Sequence, residues 1–426
     1  VNVELINTGS ELMLGRVLNT HQQWLCRRLA DLGHVVTRQV AVADAGTDIQ
    51  GAVREGLDRA ELVITTGGLG PTSDDLTREL IAQLLGRKLI QSREVLAHIE
   101  AFFAQRNRPR PAMTDVETLV PEGALVFINR FGTAPGLAIA IEGVKPNTAA
   151  MDRARGPRQW LVMLPGPPRE LRPMFDEHVV PLIKREFVDE TFVCRTILTT
   201  AIGESRVQEM VEGDLGPFMK LGLEAGYCAR PGSVDVRLTA RGPGAEALVR
   251  SGEAVVEKIL GPNIYGYDDD EIENQVVRRL TEKRKTLALA ESCTGGNIAH
   301  RVTNVPGASA VFLGGVVSYS NAAKEHLLAV SLETLRTHGA VSEAVAREMA
   351  LGAQREFGAD FAISVTGIAG PGGGTAEKPV GTVFIALATA VGVEVRKFLN
   401  PWDRETFKQV TTTQALELLR VKLNSA

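Results

Sequence analysis

The sequence predicts an α/β protein in three parts: a doubly wound N-terminal domain over residues 1–172, a small α+β module over 173–262 and a C-terminal α/β domain over 263–426. Short apolar runs alternate with helical patterns at both ends of the chain, which is the grammar of βαβ units and of a mostly parallel sheet. Between about 190 and 260 the apolar residues alternate singly, as half-buried strands do. A chain of 426 residues also exceeds the length at which one hydrophobic core stops growing.

Val3–Ile6 reads as the first strand, Gln22–Leu32 as a helix closed by Gly33, and Val35–Val42 as the next strand. Glu61–Thr65 is a buried run, followed by a glycine loop and a helix over Leu76–Leu85 that ends at Gly86. Leu161–Leu164 adds a strand before the loop Pro165–Pro168. In the module, Thr191–Thr200 and Ser233–Ala240 are strands and Ala245–Leu260 is an amphipathic helix. The turn formers and acidic groups of Gly261–Asp270 predict a linker. Beyond it, Lys285–Glu291 and Phe361–Val365 are buried strands, and Asn297–Val302 opens a helix.

Lys and Arg total 47 against 51 Asp and Glu, a formal charge of −4, and aromatics are only 5% of residues. This balance argues against direct nucleic-acid binding, which uses basic stripes interleaved with aromatics. Cys26, Cys194, Cys228 and Cys293 show no CxxC spacing, so neither a zinc site nor a disulfide framework is expected, and a reduced, cytoplasmic setting fits. No run of about 18 apolar residues suggests a membrane span.

The C-terminal chemistry centres on Ser292. It falls on the turn between a buried strand and a helix, where open α/β sheets present reactive groups. A serine hydroxyl needs a base and donors for a developing oxyanion. Tyr319 and Lys324 are candidate bases, and the amides of Thr294, Gly295 and Gly296 are candidate donors, able to hold a phosphate by the same geometry. Lys324 serves only as a neutral amine, which costs roughly 4–5 kcal/mol if its pKa falls from about 10.4 to near 7. The plain alternative is that Ser292 or Thr294 caps the helix. A second glycine loop, Thr366–Gly374, follows the strand Phe361–Val365, and two such loops suggest a phosphorylated ligand. Cys293 is a rival nucleophile whose nearest histidine in sequence is His300.

At the other end, Thr65–Thr77 follows a buried strand and opens a helix, so the amides at Gly67, Gly68, Gly70 and Thr72 form a plausible phosphate cradle. Asp74 and Asp75 would sit in the first helical turn, where carboxylates also act as caps. Two carboxylates beside a phosphate repel it unless a cation intervenes, and oxygen ligands point to Mg²⁺ or a similar ion.

The segments Ala290–Gly296, Ser318–Lys324, His338–Ser342, Ser364–Pro371 and Glu377–Thr382 together resemble the C-terminal domain of the CinA family. The resemblance implies a nicotinamide-nucleotide amidase, converting nicotinamide mononucleotide to nicotinate mononucleotide and ammonia, with no cofactor. It implies Ser292 as nucleophile, Tyr319 and Lys324 as its activating partners, and a ligand site including Thr366, Gly367, Ala369, Gly370 and Arg404. Where the family usually reads Gly-Asp-Arg, this chain has Trp402-Asp403-Arg404, which puts the local turn in question.

Thr8–Gly15, Gly67–Asp75, Gly132–Gly136 and Leu164–Glu170, with Gly166 among them, are similar to the family's N-terminal domain, of the molybdopterin-binding fold class. The implied activity is a metal-dependent ADP-ribose pyrophosphatase. Pterin binding and an accessory role in DNA uptake are the competing readings, and a homodimer is the expectation by analogy. Two departures stand out. Thr114–Glu117 replaces a polar segment that usually carries a lysine, placing Val116 at the basic position and adding the charge of Glu117, and residues 145–159 look like an extra polar loop.

Overall fold

The apolar run that opens the chain becomes β1 (Asn2–Thr8), next to the edge of a six-stranded sheet. Its companions are β2 (Val35–Val42), β3 (Leu62–Thr66), β6 (Leu125–Phe127), β7 (Gly136–Ile141) and β8 (Gln159–Leu164), while β4 (Leu89–Gln91) and β5 (Leu119–Pro121) pair separately. The order is β2-β1-β3-β8-β7-β6; the first four strands are parallel, β7 runs antiparallel to β8, and β6 runs antiparallel to β7. Leu62 and Ile64 join the core on one face and Val63 joins the core on the other. Burial on both faces explains why this strand reads as an unbroken apolar run. The computed structural model describes residues 1–141, 159–187 and 191–425, in two units, Val1–Val193 and Cys194–Ala426. The polar loop expected over 145–159 lies outside the described residues except for Gln159, which starts β8.

In the second unit, β9 (Phe192–Thr200), β10 (Glu224–Arg230), β11 (Ser233–Arg241) and β12 (Ile264–Tyr267) form a sheet in the order β10-β11-β9-β12. The expected linker over 261–270 is therefore corrected, because β12 pairs antiparallel with β9 and buries Tyr265 to 4% exposure. The turn formers Gly261 and Pro262 make only a short 3₁₀ turn leading into that strand. Tyr265 and Leu198 join one apolar cluster with the C-terminal domain. Arg420, itself buried, donates to the carbonyls of Pro262 and Ile264.

The C-terminal sheet contains β13 (Leu287–Glu291), β14 (Phe312–Val317), β15 (Phe361–Gly367), β16 (Thr382–Thr389) and β17 (Gly392–Leu399), in the order β14-β13-β15-β16-β17. Leu287 and Leu289 face one core, and Ala288 and Ala290 face the other, beside Ala346, Ala350 and Ala353 of the helix Glu343–Phe357. Small residues on both sides let that helix lie close on the sheet. At Gly352 a Cβ would meet the carbonyl oxygen of Leu328 at 2.1 Å, so glycine is required there by space. Among the described residues no helix is long and apolar enough to cross a membrane.

Candidate active sites

Strand register brings the C-terminal chemistry to one edge. Glu291 pairs with Val317 of β14 and with Val365 of β15, so Ser292, Ser318 and Thr366 leave three parallel strands at one level. The chain passes from β13 to β14 on one side and later to β15 on the other. Ligands of open α/β sheets bind at such a switch point, beyond the carboxyl ends of the strands.

Lys324 lies one turn into the helix Asn321–Leu328, whose start is capped by Ser320 Oγ accepting from Ala323 N–H. Its side chain is 1% exposed, and Nζ donates to Ser318 O at 2.6 Å and to Ser292 Oγ at 3.1 Å. Burial pushes the lysine below its ordinary pKa, outweighing the opposing influence of Cys293. A buried amine fixed on a carbonyl and within hydrogen-bond distance of a serine hydroxyl is placed to take the serine's proton once it is neutral. The rival nucleophile is not competent in the same way. Cys293 is buried, and burial pushes its thiol up to about 12, with the nearby Glu291 adding to the rise.

Two expectations need correction. Tyr319, expected as an activating partner of Ser292, bonds elsewhere: it is 60% exposed and its hydroxyl accepts from Arg404 Nη2 at 2.5 Å, while the Ser318 carbonyl is what orients Lys324. Nor do Gly295 and Gly296 offer free amides. Gly295 N–H donates to Ser292 O, and Gly296 N–H donates to Glu291 Oε2. The buried Glu291 carboxylate also accepts from Ile298 and Ala299, so the terminus of the helix Asn297–Thr303 already holds an anion. Both glycines are needed for their left-handed φ of +63° and +94°, which shape the turn under Ser292. Thr294 is fully buried and its hydroxyl has no partner among the described residues.

Glu291 and Ser318 were not singled out from the sequence, though a carboxylate at a strand end two residues before a helix-opening turn is a legible capping signal. Glu291→Ala should lower stability by about 2–4 kcal/mol, because three amides lose an ionised acceptor inside the protein. Urea unfolding monitored by circular dichroism would show it, with Glu291→Gln losing less.

The second glycine loop is placed as expected but is tied to its surroundings. Thr366 Oγ1 donates to Ala340 O, Gly367 packs against the Thr382 carbonyl, Ala369 is buried, and Gly370 O accepts from Arg404 Nη1 at 3.1 Å. Arg404 thus joins this loop to Tyr319. The neighbouring Trp402 is 56% exposed and does not disturb the turn, because Asp403 Oδ1 still accepts from the amides of Glu405 and Thr406.

In the N-terminal unit, Gly67, Gly68, Gly70, Gly166, Asp74 and Asp75 line one cavity of about 520 Å³. Gly67 and Gly68 have φ of +98° and +67°, and a Cβ on either would collide with Thr8 or Thr77. Thr72 does not line the cavity. Its hydroxyl lies 2.5 Å from both Asp74 Oδ1 and Asp75 Oδ2, and its amide donates to Asp75. The two aspartates therefore precede the helix Thr77–Leu84 and form a turn with Thr72 instead of capping the helix; the Thr72 bond holds the Asp74 carboxyl below its ordinary pKa.

Glu117 lines the same cavity and is fully buried. Thr133 donates to its Oε1, while Oε2 has no partner among the described residues. Burial pushes its pKa up to about 7 against the opposing Thr133 bond and Arg78, and the charges of Asp75 and Glu170 add to the rise. An unpartnered buried carboxylate oxygen in the cavity that Asp74 and Asp75 also line suits a hard cation. No ready group of three or more His, Cys, Asp or Glu ligands exists among the described residues.

The fold and these sites define a three-part α/β protein with a glycine-loop domain at one end and a Ser–Lys pair at the other. Residues 4–185 match the profile of the probable molybdopterin binding domain, 194–266 that of the damage-inducible protein CinA KH domain, and 269–423 that of the CinA C-terminal domain. A CinA-like protein of Akkermansia muciniphila is 42% identical over 98% of this chain and 96% of its own length. A relative from Caldicellulosiruptor bescii, bearing the competence-damage inducible name, is 40% identical over 99% and 98%. The chain belongs to the CinA family. Among solved structures, the competence/damage inducible protein CihA of Agrobacterium tumefaciens is 42% identical over 36% of this chain and 97% of its own, with a TM-score of 0.35. Domains of these kinds point to an enzyme.

Proposed function

We propose that the C-terminal domain is a metal-free serine amidase that hydrolyses nicotinamide mononucleotide to nicotinate mononucleotide and ammonia. The Lys324–Ser292 contact carries this reading. Ser292 Oγ attacks the carboxamide carbon as its proton passes to Lys324 Nζ. The tetrahedral oxyanion is met by the buried Thr294 hydroxyl, which, like that of Ser318, has no partner among the described residues. Collapse expels ammonia, which takes the proton from Lys324; water then attacks the acyl-serine as its proton passes to the same lysine, and cleavage of the bond to Ser292 Oγ releases nicotinate mononucleotide while the lysine returns the proton to the serine. Wild type should release ammonia from nicotinamide mononucleotide and Ser292→Ala should not. Equal and negligible release from both would sink the amidase.

For the N-terminal domain, the reading is a divalent-metal pyrophosphatase acting on ADP-ribose. Two of the carboxylates lining the cavity, Asp75 and Glu117, would hold the ion, with Asp74 and Glu170 lining the same cavity, and the bound ion would supply charge neutralisation for the pyrophosphate. Mg²⁺ sites commonly use one or two carboxylates with substrate phosphates and water, so a full protein cage is not needed. Gly67, Gly68 and Gly166 let the backbone approach the phosphates, and Arg169 is the basic residue lining the cavity. The middle module's KH description does not by itself bring nucleic acid. KH domains clamp nucleotides with a GXXG loop, whereas Gly213–Gly216 lies inside the helix Glu204–Met219 beside Glu209, Glu212 and Asp214.

A further inference from the structure

The anion-holding devices expected around Ser292 are spoken for. The terminus of the helix Asn297–Thr303 is filled by the Glu291 carboxylate. The terminus of the helix Arg404–Ser425 is filled by Asp403, which takes the amides of Glu405 and Thr406. In the second glycine loop, the amide of Ile368 is bonded to Thr382 O. Lys378, beyond the end of that loop, donates to His338 O. With both helix termini filled, the charge of a phosphate at this site would be neutralised by side-chain cations.

Arg404 and Lys408 stand one turn apart on the helix Arg404–Ser425, where i and i+4 residues are neighbours about 5–6 Å apart at Cβ. Arg404 faces the second glycine loop through Gly370 O. Lys408 faces the first: its Nζ lies 4.0 Å from the point that a Cβ on Gly295 would occupy. Gly295 is bonded to Ser292 O, which places Lys408 over the nucleophile's own turn. Lys408 is half-buried and forms no hydrogen bond or ion pair among the described residues. The helix holds it in position: Phe407 beside it is fully buried, and Thr412 one turn further accepts from Asn297, the first residue of the Ser292-side helix. A half-buried cation held toward a catalytic turn without a carboxylate partner is prepared for an anion that arrives with the substrate.

We infer that Lys408, with Arg404 beside it, is the anchor for the substrate's 5′-phosphate, so that the Ser292 site selects phosphorylated over unphosphorylated nicotinamide ribosides. This rests on the amidase reading and assigns the specificity group within it. Lys408 acts on binding and not on bond cleavage, so its loss separates KM from kcat.

The test is ammonia release by the full chain from nicotinamide mononucleotide and from nicotinamide riboside, comparing wild type, Lys408→Ala and Lys408→Arg. Lys408→Ala should raise KM for the mononucleotide at least about tenfold, the scale of a charge-assisted hydrogen bond, with kcat within about threefold and KM for the riboside unmoved. Lys408→Arg should recover most of the loss. An unchanged KM for the mononucleotide, or a riboside KM that rises in step, overturns the inference. If wild type releases no ammonia from either substrate, the amidase reading fails instead. The anchor is then judged by calorimetric binding of ribose 5-phosphate to Ser292→Ala with and without Lys408→Ala. At least about tenfold weaker binding without the lysine sustains it, and equal affinity overturns it.

Discussion

Lys324→Met should reduce kcat for amide hydrolysis by at least about 10³-fold, close to the loss from Ser292→Ala, and the double variant should be little worse than either single one. Groups that act as one unit are strongly non-additive, since removing either disables the same step. Methionine keeps the volume and apolar stem of lysine without the amine, so the protein should remain folded. The same geometry fixes the pH dependence. Lys324 must be neutral to accept the Ser292 proton, and burial has pushed its pKa below the ordinary lysine value. Activity should therefore rise with pH through an inflection on the acid side of about 10.4. A flat profile between pH 6 and 9, or a Lys324→Met enzyme with substantial kcat, would remove the lysine from the chemistry.

Much of this arrangement was legible in the chain because local rules and the tertiary fold agree. The runs before Gly67 and before Ser292 are buried on both faces, so they read as strands without any alternation, and the glycines after them have positive φ. What the sequence hid is which polar group satisfies which. Gly295 and Gly296 look like an anion cradle until Glu291, whose carboxylate folds back over the same turn, is seen to fill it. Tyr319 and Lys324 lie five residues apart and suggest one cluster, yet the strand has ended at Val317 and a helix begins between them at Asn321. Tyr319 is left at the exposed margin with Arg404, and Lys324 is carried inward by the following helix. The Gly261–Asp270 segment misleads for a different reason: its glycines and acids are turn signals, and only the pairing with β9 shows that Ile264–Tyr267 is a strand. The Tyr319–Arg404 contact and the pairing of β12 with β9 join residues far apart in sequence, whereas the Glu291 cap is local.

The second large effect is expected at Glu117, where the sequence showed a departure and the structure shows its cost. Its carboxyl is fully buried beside Asp75 and Glu170, and its pKa is pushed up to about 7 from 4.5, chiefly by burial. Because the folded state favours the protonated form, Glu117 imposes no penalty below about pH 4.5, and stability is lost as pH rises through 7. At about 1.4 kcal/mol per tenfold change in acidity, and allowing for screening at the cavity mouth, the loss at pH 8 is about 2 kcal/mol. Glu117→Gln keeps the shape and the oxygen that accepts from Thr133 while removing the charge. In chelator-treated protein its Tm should match wild type near pH 5 and exceed it by several degrees at pH 8. Retaining a buried carboxylate at that cost makes sense if a cation neutralises it. Divalent metal should then raise the Tm of wild type at pH 8 and raise that of Glu117→Gln much less. Equal metal-induced shifts in the two proteins would place the ion elsewhere and leave Glu117 as an uncompensated charge.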